Sequence, residues 1–112
     1  MRRGEIWWAA LGSPGTEPGS PAGKRPVLLL SRNEAYSIRE LIIVAPVTTR
    51  IRRIPAEVPL GVEEGLLKRC VVNLDTIITV AKKSLREKLT TLSYDKMKEV
   101  EAALCFALGI KE

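Results

Sequence analysis

The chain has 112 residues, 46% hydrophobic and 28% charged, with 18 Lys and Arg against 13 Asp and Glu for a formal net charge of +5. That length predicts one globular domain over residues 1–112. A chain so small buries only about 60–70% of the surface its unfolded form exposes, so association is an expected further source of stability.

Apolar runs such as residues 26–30 and 41–47 fall far short of the ~20 residues a membrane-crossing helix needs. The apolar stretch after Arg2 and Arg3 is broken by Glu5 and is shorter than a secretory core of roughly 7–15 residues, so a cytoplasmic protein with no membrane association is expected. The chain has no histidine, which excludes a Ser-His-Asp triad and any nuclease built on paired imidazoles. Its two cysteines, Cys70 and Cys105, lack zinc-site spacing, so no metal and no cofactor is expected and both thiols suit a reducing compartment as small core side chains.

In chain order, residues 5–11 (Glu-Ile-Trp-Trp-Ala-Ala-Leu) are short, aromatic and apolar and predict a first strand. Neighbouring strand residues face opposite sides, so Trp7 and Trp8 cannot share one core. Residues 12–25 hold four glycines and three prolines and predict a long loop, of the size that carries binding or lid functions, ending in Lys24-Arg25-Pro26. Strands are expected at 27–31 and 41–47, with one helical turn possible between 33 and 39. Residues 51–55 form a basic, proline-ended connection. Further short strands are expected at 56–60, 70–74 and 77–80, a loop at 66–69, and a short helix at 84–88 before 89–92. From Ser93 the apolar period changes: Met97, Val100, Leu104 and Leu108 recur at three- and four-residue steps, with Ser93 as N-cap, Asp95 in the first turn and Gly109 as the stop. The sum is a small α+β domain, barrel-like in its strands and closed by one amphipathic helix.

Charge is uneven along this order. Residues 1–88 carry 15 Lys and Arg against 9 Asp and Glu, and residues 89–112 carry 3 against 4. The surplus lies in clusters: Arg2-Arg3, Lys24-Arg25, Arg50-Ile51-Arg52-Arg53, Lys68-Arg69, and Lys82-Lys83 with Arg86 and Lys88. A single pair reads as a solvated turn. Five without an acidic counterweight favour a polyanionic partner, because Lys and Arg bind phosphates with release of counterions.

Four fragments in fixed order carry a resemblance: Arg3-Gly4-Glu5-Ile6-Trp7-Trp8-Ala9, Gly23-Lys24-Arg25-Pro26-Val27-Leu28, Ile43-Val44-Ala45-Pro46-Val47-Thr48-Thr49, and the helix of residues 93–109. In these, nearly end to end, the chain resembles the MazF/PemK family of toxin endoribonucleases. The resemblance implies an SH3-like β-barrel with short helices, a homodimer, metal-independent cleavage of single-stranded RNA at preferred sequences, and neutralisation by a cognate antitoxin.

It also implies that Arg25 and Thr48 are catalytic, with Glu17, Lys24, Thr49, Arg50, Arg52, Arg53 and Thr76 as candidate substrate contacts. RNA brings its own nucleophile, the 2′-hydroxyl, so a ribonuclease without histidine is chemically reasonable and DNA should resist it. An arginine is always protonated, so Arg25 suits clamping phosphoryl oxygens better than abstracting a proton. Where many relatives carry Gln after the 71–74 strand, this chain has Asp75-Thr76, so the preferred cleavage sequence is its own. Two other readings stand beside this one: a gyrase-poisoning toxin of the CcdB type on a related fold, and an RNA-binding module without catalysis.

Overall fold

The computed structural model describes residues 1–10 and 24–111. Strand β1 (Glu5–Ala10) shows how alternation sorts the core: Ile6 points to one apolar cluster, while Trp7 and Ala9 point to another on the opposite face. Trp7 packs against that second cluster and donates its indole N–H to Glu5 at 2.9 Å, while Trp8 is half-buried on the other side.

Strand β2 (Lys24–Leu29) repeats the pattern, with Leu28 in the first cluster and Val27 and Leu29 in the second. A single helical turn, α1 (Ala35–Ile38), leads to β3 (Leu41–Thr48). The strands β4 (Glu57–Leu60), β5 (Cys70–Asn73), β6 (Ile78–Ala81) and β7 (Leu85–Thr91) follow, and the helix α2 (Tyr94–Leu108) closes the chain. The periodicity of α2 is expressed as expected: Ser93 Oγ accepts the Lys96 N–H at 3.1 Å, and Gly109 ends the helix in the left-handed region at φ +71°.

All strand pairings are antiparallel, in the order β4-β5-β3-β2-β1-β7, with β6 added to β3. β3 is the hub. Its first half pairs with β6, from Leu41↔Ala81 to Val44↔Ile78, its last two residues pair with β5, and β2 takes the opposite edge. The class is α+β, as expected, but among the described residues the hydrogen-bonded path ends at β4 and β7 and does not close into a barrel. A side chain ties β7 to the 3-10 turn that follows β4 instead: the Thr90 hydroxyl donates to the Glu64 carbonyl at 2.9 Å. Gly65, at φ +92°, makes room for it, since a Cβ there would lie 2.7 Å from Thr90 Oγ1. Met97, Val100 and Ala103 of α2 fill the open side, packing with Ile6, Leu28, Val58, Leu60 and Val72.

One expected element is different. Residues 84–88 do not form a helix; a 3-10 turn at Lys82–Ser84 leads straight into β7. Local propensity is overruled by the free edge of β1, which pairs Trp7 with Lys88 and Trp8 with Glu87 through two register shifts.

Several of the basic residues are consumed by the fold. Arg3 bonds Glu101 at 3.2 Å, Lys88 lies 3.4 Å from Glu5, and Lys82 donates to the Tyr36 carbonyl at 2.6 Å. Burial works to raise the pKa of Glu5, but the Trp7 indole, the Arg2 backbone N–H and Lys88 together hold it below its ordinary 4.5.

Two measurements test this packing. Leu28→Ala is expected to cost about 2–5 kcal/mol, read as a lower denaturant midpoint at unchanged m-value. Because the pKa of Glu5 is lower folded than unfolded, its stabilisation is complete above pH 4.5 and lost as pH falls below it. The melting-temperature gap between the wild type and Glu5→Gln should therefore shrink as pH is lowered through that value.

Candidate nucleic-acid interface

The register between β2 and β3 decides what meets what. Val27 lies across from Pro46, Leu28 from Ala45 and Leu29 from Val44. Continued two residues, that register sets Arg25 opposite Thr48. The ladder itself stops first, because Pro26, which would face Val47 in the next hydrogen-bonded pair, has no N–H to donate, and the two strand ends part. Between them opens a cleft of about 170 Å³ whose walls include Arg25, Thr48, Pro26 and Pro46. Asn73, at the end of β5, and Arg50 and Arg52, from the connection after β3, complete it.

Each polar group there is positioned by the backbone around it. Thr48 Oγ1 accepts the Arg50 N–H at 3.1 Å, which turns the chain over the strand end. Asn73 Oδ1 accepts the Asp75 N–H at 2.9 Å, leaving its NH2 group as the end that can donate to a ligand. Farther along, Glu57 Oε1 accepts two backbone N–H groups, those of Arg52 and Arg53, each at 2.9 Å. Arg53 sits at φ +58°, a left-handed conformation costing a non-glycine residue roughly 1–2 kcal/mol, which the Glu57 contacts help to hold. The result is a connection whose side chains alternate: Arg50 and Arg52 line the cleft, while Ile51 and Arg53 line a second recess on its other side.

The described lining of the cleft therefore carries three guanidinium groups and no carboxylate. Its chemistry is that of a phosphate cradle: planar N–H donors for non-bridging oxygens, one hydroxyl, one amide, and proline rings that exclude water from one side.

Of the residues picked from the sequence, Arg25, Thr48, Arg50 and Arg52 come together in this cleft. Arg53 belongs to the second recess. Lys24 opens β2 opposite Ala10, and Thr49 and Thr76 are exposed; none of the three lines the cleft. Glu17 lies outside the described residues.

Asn73 and Glu57 were not among the sequence candidates. The signal for Glu57 was a lone carboxylate beside three basic positions, on the strand face away from Val58 and Leu60. The thiol of Cys70 is pushed up to about 11 by burial and by the Glu64 carboxylate, so it acts as a core side chain and not as a nucleophile. Among the described residues no group of three or more Cys, Asp or Glu side chains is placed to hold a metal ion, and no helix is long and apolar enough to cross a membrane.

Residues 2–108 match the model of the PemK-like, MazF-like toxins of type II toxin-antitoxin systems. The chain is 40% identical, over 98% of its length and 92% of the relative's, to the endoribonuclease MazF of Staphylococcus saprophyticus. Among solved structures it is similar to an endoribonuclease in complex with its cognate antitoxin from a mycobacterial species, with a TM-score of 0.84, 28% identity and coverage of 100% of this chain and 98% of that one. It is likewise similar to the MazE–MazF complex (Form-II) of Deinococcus radiodurans, with a TM-score of 0.78, 28% identity and coverage of 99% and 97%.

If the three guanidinium groups hold phosphates, affinity for a labelled single-stranded oligonucleotide should fall linearly in log K against log salt. Arg50→Ala and Arg52→Ala should each lower the magnitude of that slope by about 0.7, measured by fluorescence anisotropy. An unchanged slope would remove that arginine from the interface.

Proposed function

The chain belongs to the PemK-like, MazF-like toxins of type II toxin-antitoxin systems, and from that premise we propose that it is a sequence-selective endoribonuclease acting on single-stranded RNA, with Arg25 and Thr48 as its catalytic residues. The observation that carries this reading is the meeting of Arg25 and Thr48 across the parted ends of β2 and β3, in a cleft ringed by arginines.

The reaction asks little covalent chemistry of the protein. The 2′-oxygen of one nucleotide loses its proton and attacks the adjacent phosphorus; the bond from phosphorus to the 5′-oxygen breaks, and that oxygen gains a proton. One proton is lost and one gained, leaving a 2′,3′-cyclic phosphate and a 5′-hydroxyl. As the phosphorane forms, charge builds on the non-bridging oxygens. Arg25, with its fixed fork of N–H donors, suits clamping them, and the Thr48 hydroxyl suits adding one donor at the strand end. A guanidinium remains protonated through neutral pH, so its role is charge stabilisation and orientation of the in-line attack. Arg50 and Arg52 hold flanking phosphates, and Asn73 offers an amide to the same strand.

The reading extends to partners. The domain spans residues 1–112 and works as a homodimer in the cytoplasm, in keeping with its small core and with the exposed apolar side chains Leu41, Ile43, Phe106 and Leu108. Its cognate antitoxin is an acidic, partly disordered segment with apolar anchors, which complements a basic cleft and folds on contact.

The test is incubation in EDTA with an RNA of little structure and with the matching DNA. Discrete cuts in RNA alone are expected, with Arg25→Ala and Thr48→Ala each slowing cleavage by about 100-fold or more while weakening RNA binding far less. Equal losses in cutting and binding would point instead to a binding module.

A further inference from the structure

The connection after β3 carries three like charges in four residues, Arg50, Arg52 and Arg53, and their mutual repulsion favours spreading them into solvent. Arg50 and Arg52 nonetheless line one cleft together. The connection is fastened at two points. Thr48 Oγ1 accepts the Arg50 N–H at 3.1 Å where it begins, and Glu57 Oε1 accepts the Arg52 and Arg53 N–H groups, each at 2.9 Å, where it ends.

The second fastening is set in the sheet. Glu57 lies on β4 opposite Asn73 of β5, and Asn73 lines the cleft with Arg50 and Arg52, so one strand pair helps to place all three. The Glu57 N–H also donates to the Ile54 carbonyl at 3.0 Å and closes the turn back to the sheet.

Stability alone does not account for a carboxylate here. Glu57 Oε2 is buried with no hydrogen-bond partner among the described residues, and Arg53 is held at φ +58°. Both are costs to the folded state, and strained backbone of this kind gathers where geometry serves a ligand. We infer that Glu57 is a positioning residue for RNA: by gripping the Arg52 and Arg53 N–H groups it turns the Arg50 and Arg52 guanidinium groups toward the phosphates of the strand, without touching the RNA itself.

This rests on RNA as the ligand of the cleft. It makes an acidic side chain a requirement for binding a polyanion, opposite in sign to what charge alone predicts. Glu57→Ala and Glu57→Gln separate the two, because both remove the same charge and only glutamine keeps an acceptor for the two N–H groups. On charge alone, each variant should bind a single-stranded RNA oligonucleotide more tightly than the wild type, since each raises the formal net charge by one from +5. Positioning predicts that Glu57→Ala binds about tenfold or more weakly, with a slope of log K against log salt smaller in magnitude by about 1.4, the share of two phosphate contacts. Glu57→Gln should stay near the wild-type affinity and slope. In cleavage, Glu57→Ala should raise KM more than it lowers kcat, because flanking contacts are lost while Arg25 and Thr48 remain.

Equal behaviour of the two variants would overturn the inference. So would a Glu57→Ala protein that melts at a lower temperature but keeps the wild-type slope, or one that binds more tightly. A wild type that binds no RNA removes the RNA reading itself and the inference with it. Binding that shows these differences without any cutting removes the catalytic reading and leaves the positioning role standing.

Should the Glu57 variants fail to fold, judged by their melting transitions, the same contrast can be made from the exposed connection. Arg53→Gly and Arg53→Val lose the same charge, but glycine takes φ +58° freely and a β-branched residue does not. Arg53→Gly should bind the oligonucleotide more tightly and with the steeper salt dependence. Equal affinities would overturn the inference.

Discussion

Everything around the candidate site depends on where the ladder between β2 and β3 stops. Three antiparallel pairs hold the two strands in register, and the next hydrogen-bonding position on β2 is Pro26, which has no donor. Had that position carried an N–H, pairing could continue and Arg25 and Thr48 would face each other across a closed sheet. Because it cannot, the strand ends separate, and a guanidinium and a hydroxyl are presented from rigid backbone at the mouth of a cleft. Sites built on strand ends in this way keep their geometry without a ligand, which is what stabilising a short-lived phosphorane requires.

The second constraint is the Glu57 carboxylate. Burying a charge is costly unless it is well bonded, and Glu57 meets half of that requirement by taking two consecutive backbone N–H groups. Consecutive N–H groups can converge on one oxygen only if the chain curls, and Arg53 adopts its left-handed conformation at that curl. The curl also sorts the side chains of the connection to two sides, so one acidic residue organises two basic walls. A connection with this much positive charge would otherwise repel itself.

The distribution of charge follows the same economy. Arg3, Lys82 and Lys88 are spent on Glu101, the Tyr36 carbonyl and Glu5, tying the chain start to α2 and the β6–β7 turn to α1. The arginines of the cleft are arranged around a space with no carboxylate in its described lining. Net charge alone therefore overstates the binding face; what matters is which cations the fold gathers around the cleft.

The helix of residues 94–108, the alternation in β1 to β3 and the chain's α+β class were legible in the sequence, because each depends on local period and caps. Arg25 and Thr48 were legible only through resemblance, since nothing local distinguishes them from a loop-end cation and a strand-end threonine. Residues 84–88 were misread as helical because their propensity is locally ambiguous and the deciding partner, the edge of β1, lies some eighty residues away in the chain. Asn73 and the division of Arg52 from Arg53 were not legible at all, and Glu57 was legible only as a carboxylate beside three arginines. The order of side chains along each strand was determined by the sequence itself; which strand lies beside which, where the path stays open, and which carboxylate meets which N–H were decided by tertiary pairing, because hydrogen-bond register between distant segments is set by the packing of the whole sheet and not by any window of the chain.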